Sequence, residues 1–317
     1  SHSIGTYHLA KLFIKNLKSN QPELKITDRL VELVSLAGLC HDLGHLMYSH
    51  LFDDMFLKKL NNYSELGDMV HHENRSILLL YHIVHKNNIK LSDNELLVIG
   101  DLINPKKNTY YDWNSEFKVG KWIFEIISNP INNIDVDKFD YIDRDNKAVG
   151  LKLNFEYQRL IKQAKVINNH ICYPIQVKND IYHMFLVRYR LHREIYNHKI
   201  VKAIDILITE ALFELEKIKK ISDFINDPDK ILELTDKYLY FNNNIKIKDI
   251  LNRIDTRNFP SLVYENISIN NFSFDKEKLK ELPFSNLLKV IKFQAGYISG
   301  SGNNPLKNII FYNSKNN

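Results

Sequence analysis

Cysteine is almost missing from this chain: among 317 residues only Cys40 and Cys172 carry a thiol, and Cys40 lies inside an apolar run. That count excludes a disulfide scaffold and points to a reducing, intracellular setting, cytoplasmic or nuclear. Glycine and proline are scarce, ten and eight, against seventeen tyrosines and seventeen phenylalanines, so long helices are expected rather than a chain of tight-turned strands. No stretch approaches the roughly twenty consecutive apolar residues that a membrane span requires. The first residues as given do not read as a signal sequence, and because the chain is expected to start inside a domain, an address upstream of Ser1 stays open. There is no internal repeat, and the Asn, Lys and Ile bias is spread over the whole chain, so no low-complexity tract stands out. Nor does one sign of charge dominate. The formal net charge of +5 is too mild to indicate nucleic acid by itself, although it suits an anionic substrate. What is present, 44% hydrophobic residues, is enough for one large core or a core plus a lobe.

Helical periodicity dominates up to about residue 225. Thr27 or Asp28 caps a helix that becomes nearly continuously apolar from Leu33 to Cys40, as expected of a helix buried on most sides. "HHENRSILLLYHIV" and "IDVDKFDYIDRD" are two further helices, with breaks near Asn104-Pro105 and Asn129-Pro130. "KVINNHICYPIQV" is expected to be a hairpin, followed by one long helix from about Asp180 to Ile221. Beyond residue 225, "KYLYFNNNIKIKDI", "SLVYENISI", "LLKVIKFQAGYI" and "KNIIFYN" alternate apolar and polar residues as strands do. The fold class expected is mainly α: a helical core over residues 1–225 and a small mixed α/β lobe over residues 226–317.

The chemistry concentrates in "LAGLCHDLGHLMYSH", residues 36–50, where an apolar helix runs into His41, Asp42, His45 and His50. Burying an aspartate and histidines without partners costs several kcal/mol, and a metal ion is an economical compensation. Adjacent His41 and Asp42 offer one nitrogen and one oxygen, but two ligands do not make a site. Candidates for the rest are His2 in "SHSIG" and Asp137 in "IDVDKFDY". Such a pair, taken alone, is equally a structural hydrogen-bonded dyad.

The order His2, His41-Asp42, Asp137 resembles the H…HD…D signature of the HD-domain metal-dependent phosphohydrolases. "HSIG", "AGLCHDLGH", "YSHLFD", "HHENRS", "IDVDKFDYIDRD" and "LHREIYNHK" are similar, more narrowly, to the catalytic core of the animal SAM-and-HD-domain deoxynucleoside triphosphate (dNTP) triphosphohydrolases, from residue 2 to "NPLKNIIFY". The resemblance implies hydrolysis of a dNTP to deoxynucleoside and inorganic triphosphate. It implies one divalent transition metal (iron, manganese, nickel or zinc) on His2, His41, Asp42 and Asp137, with magnesium accompanying the triphosphate. By the same resemblance His72 and Asp53 form a proton-delivering pair. His45, counted with that catalytic group, and His50 contact phosphate.

Asp137, Tyr141 and Asp145 recur at four-residue spacing and share one helix face. By resemblance Tyr141 and Asp145 bind the sugar 3′-hydroxyl and Lys138 a phosphate. A second stripe, Arg188, His192, Tyr196 and Lys199, is on its residues a cationic face suited to a triphosphate tail. The resemblance gives β and γ oxygens to Arg188 and Lys199, and to Tyr196 the exclusion of a 2′-hydroxyl.

Departures from the pattern carry their own expectations. Asn197 stands where the family has glutamine, so base contacts are expected to differ. An upstream arginine is missing before Ser1, so the N-terminus is expected to be truncated. Arg159 and Arg257 match an activating nucleotide site between subunits, whereas Pro174, Gln176, Ser261 and Ser314 replace its expected basic residues. Activation and assembly are therefore expected to be altered in a homo-oligomer, dimer or tetramer. Two other readings stay open: a phosphatase or phosphodiesterase acting on other nucleotides, and a nucleic-acid-binding protein on the same scaffold.

Overall fold

A computed structural model of the chain describes residues 1–105, 117, 119–151, 153, 155–268, 279, 281, 283–297 and 304–313. Helix α1 (His2–Asn20) buries Thr6, Leu9, Ala10, Phe13, Ile14 and Leu17, a 3-and-4 spacing that makes one apolar face. It packs on α2 (Asp28–Cys40), whose N-cap Thr27 accepts a 3.1 Å hydrogen bond from the Leu30 amide. They approach closely at Gly38, where a Cβ would stand 2.9 Å from the Thr6 carbonyl oxygen and 3.1 Å from Ala10 Cβ. Only glycine lets the two backbones meet there. That meeting places His2, one turn before Thr6, beside the end of α2.

The next helices are α3 (His72–Lys86) and α4 (Asp93–Ile103), the latter closed by a Ser92–Glu95 capping box. Helix α5 (Val136–Ala148) is N-capped by Asp135, which accepts from the Lys138 amide at 3.0 Å. After α6 (Tyr157–Gln163), β1 (Lys165–Ile167) and β2 (His170–Pro174) pair antiparallel, with Ile167 opposite His170. The two-residue turn between them has φ of 49° at Asn168 and 66° at Asn169, the left-handed pair that asparagine tolerates best after glycine. The hairpin is as expected. A short third strand, β3 (Phe311–Tyr312), joins β2 in parallel.

Two expectations are corrected. The helix from about 180 to 221 is broken in two: α7 (Lys178–Arg190) runs into a π-helical turn, Leu191–Tyr196, and α8 (Lys199–Lys219) restarts after His198. The segment "KYLYFNNNIKIKDI" is not strand. Following α9 (Pro228–Ile231), it forms α10 (Lys237–Tyr240) and α11 (Ile245–Asp255). Short alternation is ambiguous between the two periods, and here the Asn run settles it, because Asn244 accepts from the Lys246 and Ile247 amides and starts a helix. Ile247 and Leu251 then bury one face. Residues 261–268 and 288–296 carry no strand either, and of "KNIIFYN" only Phe311–Tyr312 is one.

Buried apolar residues form two clusters. One joins α1, α2 and α4 to α7 with the hairpin; the other joins Leu46, Met47, Phe52 and Phe56 to Leu212 and Leu215 of α8 and to Ile247 and Leu251 of α11. Leu43 packs against both. The turn after α2 therefore lies on the seam between the two clusters. Cys40 and Cys172 are free and buried. Among the described residues no helix is long and apolar enough to cross a membrane.

Candidate active site

Helix α2 ends at Cys40, and the next turn turns its polar side chains inward. His41 is buried, and its Nδ1 lies 2.9 Å from the Gly38 carbonyl oxygen. A carbonyl only accepts, so Nδ1 carries a proton and Nε2 is the nitrogen turned toward the carboxylates. That Nε2 is buried without a hydrogen-bond partner and faces Asp42 Oδ1 at 3.4 Å and Asp137 Oδ1 at 3.6 Å. His2 is arranged alike. Its Nδ1 is 2.7 Å from Asp140 Oδ2, while its Nε2 faces Asp137 Oδ1 at 3.2 Å and Asp42 Oδ2 at 3.4 Å. Arg144 holds Asp140 in turn, Nε to Oδ2 at 2.9 Å and Nη2 to Oδ1 at 3.0 Å. Gly5 is required beside this pair, since a Cβ there would collide with the Asp140 carboxylate.

Three of these residues, His2, His41 and Asp137, bring ligand atoms within 4.8 Å of one another, with Asp42 at their border, a nitrogen and oxygen donor set suited to a transition metal. Two ligands each about 2.0–2.2 Å from one ion lie roughly 3.0–3.6 Å apart, which is the spacing found here. Both imidazoles are oriented by hydrogen bonds from their far nitrogens, as metal-binding histidines usually are. The electrostatics also ask for a cation. Burial alone would push His2 down, but hydrogen bonds to Asp137, Asp140 and Asp42 outweigh it and raise its pKa to about 11. Burial likewise opposes the charge on Asp42, yet His2 and the neighbouring histidines pull that carboxyl down to about 2. Asp137 is also driven low, by hydrogen bonds from His2 and His41 that outweigh burial. Carboxylates this acidic bind either protons on the imidazoles or a metal in their stead.

On the other side of Asp42 is a cluster of three histidines. The rings of His45 and His72 stack with centroids 4.0 Å apart, and His50 meets them edge-on at 4.7 and 5.5 Å. Burial and the charge of His72 lower His45 to a pKa of about 4. His72 is shifted the other way: burial opposes it, but Asp53 and Glu73 raise it. Its Nδ1 lies 3.7 Å from Asp53 Oδ2 and 3.5 Å from Glu73 Oε2. Only one of two stacked imidazoles is thus set up to carry charge.

Asp53 comes from a π-helical turn, Phe52–Phe56, and is fixed by Arg75 of α3. The Arg75 side chain is fully buried and donates from Nη2 to Asp53 Oδ1 at 2.6 Å, from Nε to the Gly44 carbonyl at 2.8 Å and from Nη1 to the Met69 carbonyl at 2.7 Å. The next residue, Ser76, accepts from the Gly44 amide at 2.8 Å and donates to the His41 carbonyl at 2.6 Å. Gly44 allows this docking, because a Cβ there would overlap the His72 carbonyl and the Ser76 amide.

A third group lines the approach from α5 and α7. Tyr141 accepts from Arg188 Nε at 3.0 Å, and Tyr196 donates to Asp145 Oδ2 at 2.5 Å. Arg188 also donates from Nη1 to the Tyr297 carbonyl at 3.2 Å. Lys138 is engaged with its N-cap, Nζ to Asp135 Oδ2 at 2.9 Å. His192 meets the Tyr196 ring edge-on at 4.9 Å; burial, then Arg188, His50 and Lys202, lower its pKa to about 4. The expected stripe is broken at Tyr196. In the π turn the Asn197 amide bonds the His192 carbonyl five residues back, at 3.1 Å, and the Asn197 side chain donates to the same oxygen at 2.8 Å. Lys199 is exposed at the first position of α8, beyond the break. A π turn of this kind is frequent at functional sites, and this one sets Tyr196 against Asp145.

Asp140, Arg144, Arg75, Ser76, Gly44 and Gly5 were not singled out from the sequence. One signal was present: Arg75 and Ser76 share the buried face of α3 with Leu79, Leu80 and Val84, and a charge on an apolar stripe needs a partner. Of the residues assigned to an activating site, Arg159 pairs with Asp180 at 2.8 Å and Arg257 ends α11 with φ of 57°. Ser314 lies outside the described residues.

Comparison with known proteins follows this geometry. The chain is 36% identical over 264 residues, 82% of its length and 46% of the relative's, to the deoxynucleoside triphosphate triphosphohydrolase SAMHD1 homolog of Dictyostelium discoideum. It is 32% identical over 315 residues, 89% of its length and 50% of the relative's, to SAMHD1 of Homo sapiens. An HD domain-containing protein of Acanthamoeba polyphaga mimivirus is 34% identical over 254 residues, 75% of this chain and 52% of that protein. The chain thus spans about half the length of these relatives. No protein-family model matches it.

Proposed function

We propose, from the chain's homology to the SAMHD1 deoxynucleoside triphosphate triphosphohydrolases, that it is a metal-dependent hydrolase of dNTPs that releases deoxynucleoside and inorganic triphosphate and so lowers dNTP pools. The observation that carries this reading is the partnerless, buried Nε2 of His41 facing the same two carboxylates as His2. His2, His41, Asp42 and Asp137 hold one divalent ion, with iron, manganese, nickel or zinc all compatible with mixed nitrogen and oxygen ligands. Such an ion would supply charge neutralisation at the α-phosphate and acidification of water at neutral pH.

The remaining groups divide the work. His72 has Nδ1 turned to Asp53 and Glu73, while its Nε2 is 4.0 Å from Asp42 Oδ1 and so faces the reaction centre. A protonated imidazole held in this way donates to the departing 5′ oxygen of the sugar. Asp53 keeps it charged and oriented, and Arg75 keeps Asp53 in place. His45 stays neutral beside it and, with His50 and Lys138, contacts phosphate. Arg188 turns from its present carbonyl partners to the β and γ oxygens, where its fork matches the geometry of phosphate; magnesium accompanying the triphosphate would add charge neutralisation there. Tyr141 and Asp145 receive the 3′-hydroxyl. Tyr196, tied to Asp145, fills the space of a 2′-hydroxyl and selects deoxyribose.

The test is product chromatography of the full 317-residue chain incubated with each dNTP and manganese or iron, beside Asp137→Ala. Triphosphate plus deoxynucleoside, absent in the variant, is the expected result. Monophosphate or diphosphate as product would overturn the substrate geometry while keeping the metal site.

A further inference from the structure

Between the turn after α2 and the His50–Asp53 segment, the backbone at Tyr48 and Ser49 is left-handed, with φ of 60° and 51°. Neither residue is glycine, and two consecutive non-glycine residues in this region carry strain that their surroundings must offset. The surroundings are unusual. On the far side, residues 231–236 line a cavity of about 320 Å³ with Leu43, His45, Leu46, Met47 and Leu79, while Tyr48 packs against the apolar cluster of this half. Asp236, at the edge of the cavity, reaches the turn. Asp236 accepts the Tyr48 amide on Oδ1 at 2.7 Å and the Tyr48 hydroxyl on its own carbonyl oxygen at 3.1 Å.

We propose that Asp236 is a positioning residue for the active site: by gripping Tyr48 at its amide and its hydroxyl, it locks the left-handed Tyr48–Ser49 turn and thereby aims His50 at the phosphate site. The consequence for His50 is specific. Asp53 and His72 have an independent anchor in α3 through Arg75, and the metal cradle is built from α1, α5 and the end of α2. His50, by contrast, is exposed and follows directly from Ser49, so the turn sets where its backbone starts, and its ring meets His45 and His72 only edge-on. Asp236 lies just before α10, far along the chain from the catalytic helices, and thus couples the segment after α8 to substrate binding. The kinetic part of this inference rests on the reading of His50 as a phosphate contact.

The experiment compares the full chain with Asp236→Ala, Asp236→Asn, Ser49→Gly and the double variant Asp236→Ala/Ser49→Gly. Three quantities are read: amide hydrogen exchange over residues 47–51, bound manganese per chain, and kcat and KM for triphosphate release. Asp236→Ala should speed exchange about tenfold or more, as expected when a charge-assisted hydrogen bond is lost from a local structure. It should raise KM more than it lowers kcat and leave manganese content unchanged. Asp236→Asn, which keeps the Oδ1 acceptor, should behave as wild type. Ser49→Gly relieves the backbone strain and should restore KM in the double variant.

Unchanged exchange in Asp236→Ala, or a defect that Asp236→Asn does not repair, would overturn the proposal. If Asp236→Ala does not fold, Tyr48→Phe removes only the hydroxyl bond and should give a smaller acceleration of the same amides; no acceleration would count against the clamp. If the wild-type chain releases no triphosphate, the proposed function fails, and the exchange data still decide the role of Asp236.

Discussion

Arg75→Met tests the buried support of the active site. The substitution keeps an unbranched side chain in a fully buried position and removes three hydrogen bonds of 2.6–2.8 Å, to the Asp53 carboxylate and to the carbonyls of Gly44 and Met69. Asp53, 10% exposed, is then left as a buried carboxylate that has lost its guanidinium partner and keeps only His72, 3.7 Å away. Removing one partner of such a pair costs about 3–5 kcal/mol, and the two orphaned carbonyls place the expected loss near the upper end. Asp53→Asn keeps volume and an acceptor, so it should cost less, about 1–3 kcal/mol. The decisive variant is Arg75→Met with Asp53→Leu. Because the penalty arises from an unpaired charge and not from lost packing, the double variant should be more stable than Arg75→Met alone. Urea unfolding of the four proteins measures these values, with an unchanged m-value showing that the same transition is followed. A loss of less than about 1 kcal/mol for Arg75→Met, or a double variant no more stable than Arg75→Met alone, would refute the reasoning.

Two further outcomes follow from the same structure. Gly44→Ala should destabilise the protein by about 2–3 kcal/mol through overpacking, since the added Cβ meets Arg75 Cβ at 2.7 Å and overlaps the α3 backbone. Gly100→Ala, whose Cβ would find Ile77 at an ordinary 3.5 Å, should be neutral or slightly stabilising, and urea midpoints separate the two. For pH, His192 is lowered to about 4 in the folded protein, so between about pH 6.5 and 4 the unfolded chain binds the extra proton and stability falls as pH drops. The shift corresponds to roughly 3 kcal/mol, discounted to about 1–2 kcal/mol because the ring is only partly buried. His192→Gln should therefore lose less stability than wild type between pH 7 and pH 4.5; equal losses would contradict this.

How much of the site was legible depended on whether its signal was local. The helix start at Thr27 or Asp28, where Thr27 proves to be the cap, and the hairpin within "KVINNHICYPIQV" could be read from a few residues because caps and tight turns are closed by neighbours in sequence. The strand reading of residues 237–250 failed for the same reason in reverse: six or seven residues of alternating polarity serve either period, and the side chain of Asn244 decided. Asp140 and Arg144 escaped notice because an i,i+4 ion pair on a helix is usually a solvated surface feature. Here it lies behind His2, which the sequence places 138 residues away.

The sequence by itself determined the class of the molecule and the chemistry available to it. Its scarcity of glycine and proline selects helices, and an apolar helix ending in His41-Asp42 demands a compensating partner. Only the tertiary structure decided which atoms meet. The proton on His41 Nδ1 is assigned by the Gly38 carbonyl, and the charge on His72 rather than His45 by the position of Asp53. The break of the 178–219 helix at Tyr196 follows from backbone geometry that no spacing announces. Each of these depends on distances of a few ångströms between segments far apart in the chain, and periodicity carries no information about such distances because it describes one element at a time.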